Sequence, residues 1–273
     1  MDQPRSVFFL SDHTGITVDT LGKALLAQFP GNQFKRIAVP YVDSKTRASE
    51  AARRIEAAAA ADELRPIVFG TLPDPSLRQI IRATPALYLD FLEQFIGPLE
   101  SEFGSGASHT EGKAHDAHTP QYARRIDAIN FTLAHDDGVI DNSLDEAEII
   151  LVGVSRAGKT PTCLYLSMQF GLNAANFPLT EEDLEAQRLP GSLQNHRAKL
   201  FGLSIDPARI QQIRQERRPD SRYASLTQCR YEVRQAEKLM RTNGIPFLDS
   251  THMSIEEIAT KIIQQRDLKR HAF

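Results

Sequence analysis

Cysteine is scarce in this chain: Cys163 and Cys229 are the two among 273 residues. That is too few for a disulfide framework. Both fall in helical patterns and read most simply as buried thiols. Long apolar runs are missing too, since nothing approaches the ~20 residues that cross a bilayer. Near the start, Arg5 precedes the apolar run Val7 to Leu10, which is too short for a signal peptide and is soon followed by Asp12. No excess of one charge exists either. The 32 Lys and Arg residues face 35 Asp and Glu, for a net charge of −3, which disfavours a general nucleic-acid binder. The expectation is a cytoplasmic protein with neither nucleic acid nor membrane as partner. Charged residues make up 25% and hydrophobic ones 41%, ordinary values for a globular chain. The length allows one large or two medium domains.

Two nucleotide-handling signatures are absent as well. There is no N-K-x-D string to read guanine, and the D-x-x-G strings at Asp12 to Gly15 and Asp19 to Gly22 lie upstream of any phosphate loop. That is the wrong order for a GTPase switch. The H-R-D and D-F-G strings of eukaryotic protein kinases are also missing. What is present is Gly153-Val154-Ser155-Arg156-Ala157-Gly158-Lys159-Thr160, a match to the phosphate loop G-x-x-x-x-G-K-[ST]. The apolar run Ile149 to Val152 leads in, and a helix-compatible segment from Pro161 to Phe170 leads out. This order suits the chemistry. A buried strand delivers the loop, glycines let backbone amides face an anion, and a helix N-terminus adds partial positive charge. Lys159 can reach the terminal phosphates, and Thr160 can hold Mg²⁺.

Strands alternate with helices along the chain, which predicts an α/β protein with parallel sheets. The predicted strands of the first part are Ser6 to Leu10, Phe34 to Val39, Pro66 to Gly70 and Pro85 to Phe91. Between them run helices to Gln28, to about Leu64 and from Leu77 to Ala83. Asp12 or Thr14 is a candidate cap for the first helix, and Asp43 or Ser44 for the second. The turn from Ser11 to Gly15 is also a place where an anion can sit. Residues 104–120 are Gly-, Ser- and His-rich and aperiodic. They read as a linker between an N-terminal α/β domain (1–103) and a phosphate-loop kinase-like domain (121–273). The histidines there, His109, His115 and His118, lack the spacing of a metal site and read as solvated.

In the second part, helical periodicity over Gln121 to His135 places Ile126, Ile129, Phe131 and Leu133 on a buried face. Strands follow at Ala174 to Leu179, Lys199 to Ile205 and Pro246 to Asp249. Caps are expected at Thr180, at Asp206 with Pro207 behind it, and at Ser225. Ser254 and Glu257 form a capping box. No internal repeat is evident. Candidate carboxylates are Asp136 and Asp137, which could either accept a hydroxyl proton and order Mg²⁺ or merely end a helix with Gly138. Asp249 and His135 read first as structural. Arg156 either clamps a phosphoryl group or projects into solvent. The run Arg214 to Arg222 reads as a solvated helix end rather than a docking patch.

The ordered combination Ser11-Asp12-His13-Thr14-Gly15, His135-Asp136-Asp137-Gly138 and Gly153 to Thr162 resembles the phosphoenolpyruvate synthase regulatory proteins. These are related to the pyruvate, phosphate dikinase regulatory proteins. Ala175-Asn176-Phe177-Pro178-Leu179 and Ser254-Ile255-Glu256-Glu257 also look like family segments, so the likeness covers nearly the whole chain. It implies a bifunctional enzyme that uses ADP to phosphorylate a threonine of the synthase or the dikinase. The same enzyme would remove that phosphate with Pi, giving pyrophosphate. It implies ADP, Pi or pyrophosphate, and Mg²⁺ at the site, with Asp137 or Asp136 as base beside Lys159. A homodimer would fit. Two positions depart from the family pattern. His13 stands where a small hydroxyl residue is usual, and Ala134 where lysine is frequent, which leaves Arg156 as a substitute cation. Without the resemblance, a small-molecule phosphate-loop kinase and a non-catalytic nucleotide sensor stay open.

Overall fold

The computed structural model describes residues 4–62, 64–108, 120–136 and 144–271. The chain divides into two compact units, residues 1–116 and 117–273, each an α/β unit built on a parallel sheet.

The first unit runs β1 (Arg5–Ser11), α1 (Ile16–Leu26), β2 (Phe34–Val39), α2 (Lys45–Ala61), β3 (Ile67–Thr71), α3 (Pro75–Arg82), β4 (Leu87–Asp90) and α4 (Phe91–Phe103). Its strands lie in the order β2-β1-β3-β4, all parallel. The period-2 alternation of a strand sorts the side chains. Phe8 and Leu10 join Val68 under α2 and α3, whereas Val7 and Phe9 join Phe69 under α1. Both faces are thereby covered, which explains why β1 is apolar from Val7 to Leu10. Ser44 caps α2 by accepting from the Arg47 amide.

Three expectations need correction. Neither Asp12 nor Thr14 caps α1: the cap position is Gly15, with φ +79° and no side-chain bond. Residues 91–103 form a helix where only a strand ending at Phe91 was expected, because Asp90 accepts from the Glu93 amide and starts α4. In α5 (Pro120–Ala134) Phe131 packs against the core as expected, but the buried positions are Ala128 and Thr132, and Ile126 and Leu133 are exposed. Thr132 is drawn inward because its hydroxyl donates to the Ala174 carbonyl.

The second unit continues with β5 (Ile149–Gly153), α6 (Lys159–Phe170), β6 (Ala174–Pro178), α7 (Glu181–Ala186), β7 (Leu200–Ser204), α8 (Pro207–Arg217), α9 (Leu226–Thr242), β8 (Phe247–Asp249) and α10 (Ile255–Arg266). Its parallel order is β6-β5-β7-β8. Both sheets therefore share one strand order, although no sequence repeat is visible. The turn after β1 holds in the first unit the place that residues 153–158 hold in the second. The caps read from sequence at Thr180, Asp206, Ser225 and Ser254 are all made, with capping boxes at Thr180 and Ser254. The helix α6 packs between α5 and α10, and α9 packs with α7 and α8. Every residue of β5 is buried, so the loop that follows starts from a rigid base. Among the described residues no helix is long and apolar enough to cross a membrane.

Gly153 ends β5 with φ +150°, and a Cβ there would lie 2.3 Å from the Leu203 carbonyl oxygen. Gly153→Ala must push β5 from β7 and is expected to cost about 3 kcal/mol. Equilibrium denaturant unfolding measures it. A cost below about 0.5 kcal/mol would show that the close approach is not a constraint.

Candidate active site

The strand β5 is the second in its sheet, flanked by β6 and β7, and its carboxyl end lies at the point where the strand order reverses. In open parallel sheets that point is where ligands bind. The loop there is built from alternating backbone. Arg156 (φ +78°) and Gly158 (φ +90°) have positive φ, and the residues between and before them, Ala157 and Ser155, do not. Such alternation favours amides turned toward one concavity, an anion nest, although the Ala157 amide is taken by the Val154 carbonyl at 3.3 Å. Gly158 is also the cap of α6 and supplies no side-chain bond. A helix N-terminus of this kind favours an anion. Positive φ costs an arginine roughly 1–2 kcal/mol, so something must hold Arg156 there.

The holds lie behind the loop. Arg214, fully buried on α8, donates to the Ser155 carbonyl at 3.1 Å, to Glu232 Oε2 at 2.6 Å and to the Tyr223 carbonyl at 3.1 Å. Its guanidinium stacks 4.1 Å from the centre of the Tyr223 ring. The Tyr223 and Ser155 hydroxyls are 3.0 Å apart. The hydroxyl of Ser250, after β8, lies 3.0 Å from both the Ala157 and the Ser204 carbonyls and shares its one proton between them. At Arg214 alone this corrects the reading of the run Arg214 to Arg222 as a solvated helix end, since Arg217, Arg218 and Arg222 are exposed as expected. The helix α8 turns Arg214 inward, where Glu232 and the ring of Tyr223 offset the desolvation of its charge.

Lys159 is 4% exposed, and its Nζ donates to the Val154 carbonyl at 2.9 Å. Thr160, one residue on, lines the same cleft as Lys159. Its hydroxyl donates to Asp136 Oδ1 at 2.9 Å. Asn176, buried in β6, donates its amide to Asp136 Oδ1 at 2.6 Å and to Thr160 Oγ1 at 2.9 Å. The turn is tied to β6 as well, since the Asn176 amide donates to the His135 carbonyl at 3.0 Å. Asp136 and Thr160 are hard oxygen donors side by side, which suits a small divalent cation such as Mg²⁺ that keeps most of its waters. Asp137, Gly138 and the first part of the acidic stretch from Asp141 lie outside the described residues.

These groups line a cleft of about 440 Å³ that includes Asp136, Arg156, Lys159, Thr160, Asn176 and Arg217. Val154 and Ala157 are buried beneath the loop. Two other candidates stay out of the cleft. Asp249 is exposed and accepts from the Thr251 amide at 2.8 Å, a turn role. His135 Nδ1 is 2.7 Å from the Phe131 carbonyl, and its ring stacks on Phe131 at 3.9 Å. Sequence reasoning missed Asn176, Arg214, Arg217, Tyr223 and Ser250. Asn176 alone left a local signal, a polar amide inside an otherwise apolar strand. Cys163, one turn into α6, is no nucleophile. Burial pushes its thiol well above the usual range, against the smaller opposing pull of Lys159.

A parallel α/β unit carrying this loop, a buried lysine and a threonine–carboxylate pair has the features with which phosphate groups can be held at a strand end. The chain belongs to the kinase/pyrophosphorylase family, whose model matches residues 7–263. It is 55% identical over 271 residues to a provisionally named phosphoenolpyruvate synthase regulatory protein of Aromatoleum aromaticum, covering 98% of each chain. A relative of the same name from Paraburkholderia xenovorans is 51% identical over 271 residues, covering 99% of this chain and 100% of that one. Another, from Pseudomonas savastanoi pv. phaseolicola, is 49% identical over 267 residues, covering 97% and 98%.

Asn176→Ala should leave the fold intact, costing about 1–2 kcal/mol, and weaken Mn²⁺ binding in the presence of ADP about tenfold, as read by electron paramagnetic resonance. Unchanged Mn²⁺ affinity would remove Asn176 from the cation-ordering group. Iodoacetamide at pH 8 should leave Cys163 unmodified in the folded chain and label it in denaturant, by mass spectrometry. Rapid native labelling would contradict its burial.

Proposed function

We propose that the chain phosphorylates a threonine of phosphoenolpyruvate synthase with ADP as donor, and removes that phosphate with Pi, releasing pyrophosphate. The observation that carries this reading is the junction of Asp136, Thr160 and Asn176 beside the 153–160 loop, in a chain of the kinase/pyrophosphorylase family. The relatives' names support the synthase as the protein substrate.

One cleft can serve both directions. The loop amides and Lys159 hold a diphosphate, whether as part of ADP or as pyrophosphate. In phosphorylation the threonine hydroxyl oxygen attacks the β-phosphorus of ADP. The bond from that phosphorus to the bridging oxygen breaks, and AMP leaves with the electron pair. Asp137 takes the hydroxyl proton. In the reverse regulation an oxygen of Pi attacks the phosphothreonine phosphorus and the bond to the threonine oxygen breaks. The proton returns to that oxygen, and pyrophosphate forms in the cradle. Asp136 is already engaged by Thr160 and Asn176, which favours its neighbour Asp137 as base. Mg²⁺, held by Thr160 and Asp136, would offset charge on the phosphate oxygens. Arg156 and Arg217 line the same cleft and supply positive charge toward the phosphate oxygens.

Two measurements test this. Incubation of the chain with β-labelled ADP and phosphoenolpyruvate synthase should put label on threonine. Label in a small metabolite would favour a metabolite kinase, and no transfer at all would favour a nucleotide sensor. Asp137→Asn should lower both activities by 10²–10⁴-fold while ADP still binds by calorimetry. Near-normal phosphorylation in that variant would remove Asp137 as the base.

A further inference from the structure

The loop that faces the cleft is held from its far side, and the holds sit on backbone carbonyls. None of the peptide bonds described is cis, so in each peptide unit the carbonyl and the next residue's amide point in opposite directions. Arg214 holds the Ser155 carbonyl from behind. The Arg156 amide of that same peptide must therefore point away from Arg214, toward the cleft. The Ser250 hydroxyl, shared with the Ser204 carbonyl, reaches the Ala157 carbonyl at 3.0 Å, and the Gly158 amide is turned in the same sense.

We infer that Arg214 and Ser250 are positioning residues that keep two peptide units of the 153–160 loop in their anion-accepting orientation. This rests on the reading of that loop as a phosphate cradle. The alternative is specific. Rotating the Ser155–Arg156 peptide by about half a turn would carry the φ of Arg156 from +78° into the ordinary negative region. That relieves the strain of a left-handed arginine. It would also aim the Ser155 carbonyl oxygen at the bound anion and repel it. An unheld loop with arginine at this position relaxes toward the form that cannot bind. The Arg214 hold counters this because the guanidinium is itself fixed. Two of its other N–H groups are taken by Glu232 Oε2 and the Tyr223 carbonyl, and its face lies on the Tyr223 ring, although its buried Nε finds no partner. It is fully buried, so water cannot readily replace it as a partner for the carbonyl. The planar fork matters: one lysine ammonium cannot span Ser155, Tyr223 and Glu232 with the same geometry.

The test is a double-mutant cycle of the full chain with Arg214→Lys and Arg156→Gly, titrated calorimetrically with pyrophosphate and with ADP. Thermal unfolding is followed in parallel. Arg214→Lys keeps the positive charge beside Glu232. Its expected effect is a loss of about tenfold or more in affinity for both ligands, the value of one charge-assisted hydrogen bond to an anion. Glycine has no strain to relieve at positive φ, so the same Arg214 change in the Arg156→Gly background should cost much less. A purely structural arginine would lower the unfolding midpoint and leave the two affinity losses equal. Equal losses, or unchanged affinity in folded Arg214→Lys, overturn the proposal. If Arg214→Lys fails to fold, Ser250→Ala decides. A several-fold loss of pyrophosphate affinity at a near-native unfolding midpoint supports it, and unchanged affinity overturns it. Failure of the unaltered chain to bind either ligand would instead overturn the phosphate reading on which it rests.

Discussion

At Gly153 the backbone of β5 passes β7 so closely that a single added carbon would lie 2.3 Å from the Leu203 carbonyl oxygen. Much of the second unit depends on that contact. It lets the buried strand end abruptly against its neighbour. The chain then leaves the sheet at the point where the strand order reverses, as β6 pairs on one side of β5 and β7 on the other. A bulkier residue would separate the strands and move the start of the loop. The loop's amides, the N-terminus of α6 and the lysine at its first position would move with it.

From that fixed start the loop is shaped by opposing demands. An anion requires amides turned inward, whereas an arginine at positive φ favours a different backbone. The balance is set by groups out of contact with the cleft: the buried guanidinium of Arg214, the carboxylate and ring that hold it, and the hydroxyl of Ser250. Burial makes these bonds selective. A carbonyl facing a dehydrated guanidinium cannot easily exchange it for water, so breaking the hold leaves a polar group unsatisfied. On the opposite side, Thr160, Asp136 and Asn176 share two hydrogen bonds to one carboxylate oxygen. That arrangement orients oxygen donors without neutralising them.

The two units show how one topology is used with different loops. Both sheets have the strand order 2-1-3-4 when numbered within the unit. Each places a strand–turn–helix at its switch point. In the first unit that turn carries Asp12 and His13, paired at 2.9 Å, and Gly15 caps the helix without a side-chain bond. In the second it carries the lysine and threonine of the phosphate loop. The shared order is invisible in the sequence because sheet order depends on which strands pair. Pairing is decided by packing across faces that local patterns do not distinguish.

Much of this protein was legible in its residues. Apolar β-rich runs gave the strand positions, because a strand covered on both faces must be apolar throughout. Serine, threonine and aspartate before the helices marked their starts, because orphan amides need acceptors. The spacing from Gly153 to Thr160 marked the cleft, because phosphate binding needs glycine, lysine and a hydroxyl in that order. Tertiary structure alone decided the rest. Arg214 looked like one cation in a charged run, and Asn176 like a stray amide. Their roles depend on partners far along the chain, such as Ser155, Glu232 and Asp136. The helix at 91–103 was missed because its start rests on the side chain of Asp90, a strand residue. Of the expected face of α5, Phe131 packs against the core, but Ile126 and Leu133 are exposed and Thr132 is buried with its hydroxyl on the Ala174 carbonyl. Local chemistry determined where elements begin and which loop could hold an anion. The non-local hydrogen bonds that orient that loop exist only once the sheet has brought their ends together.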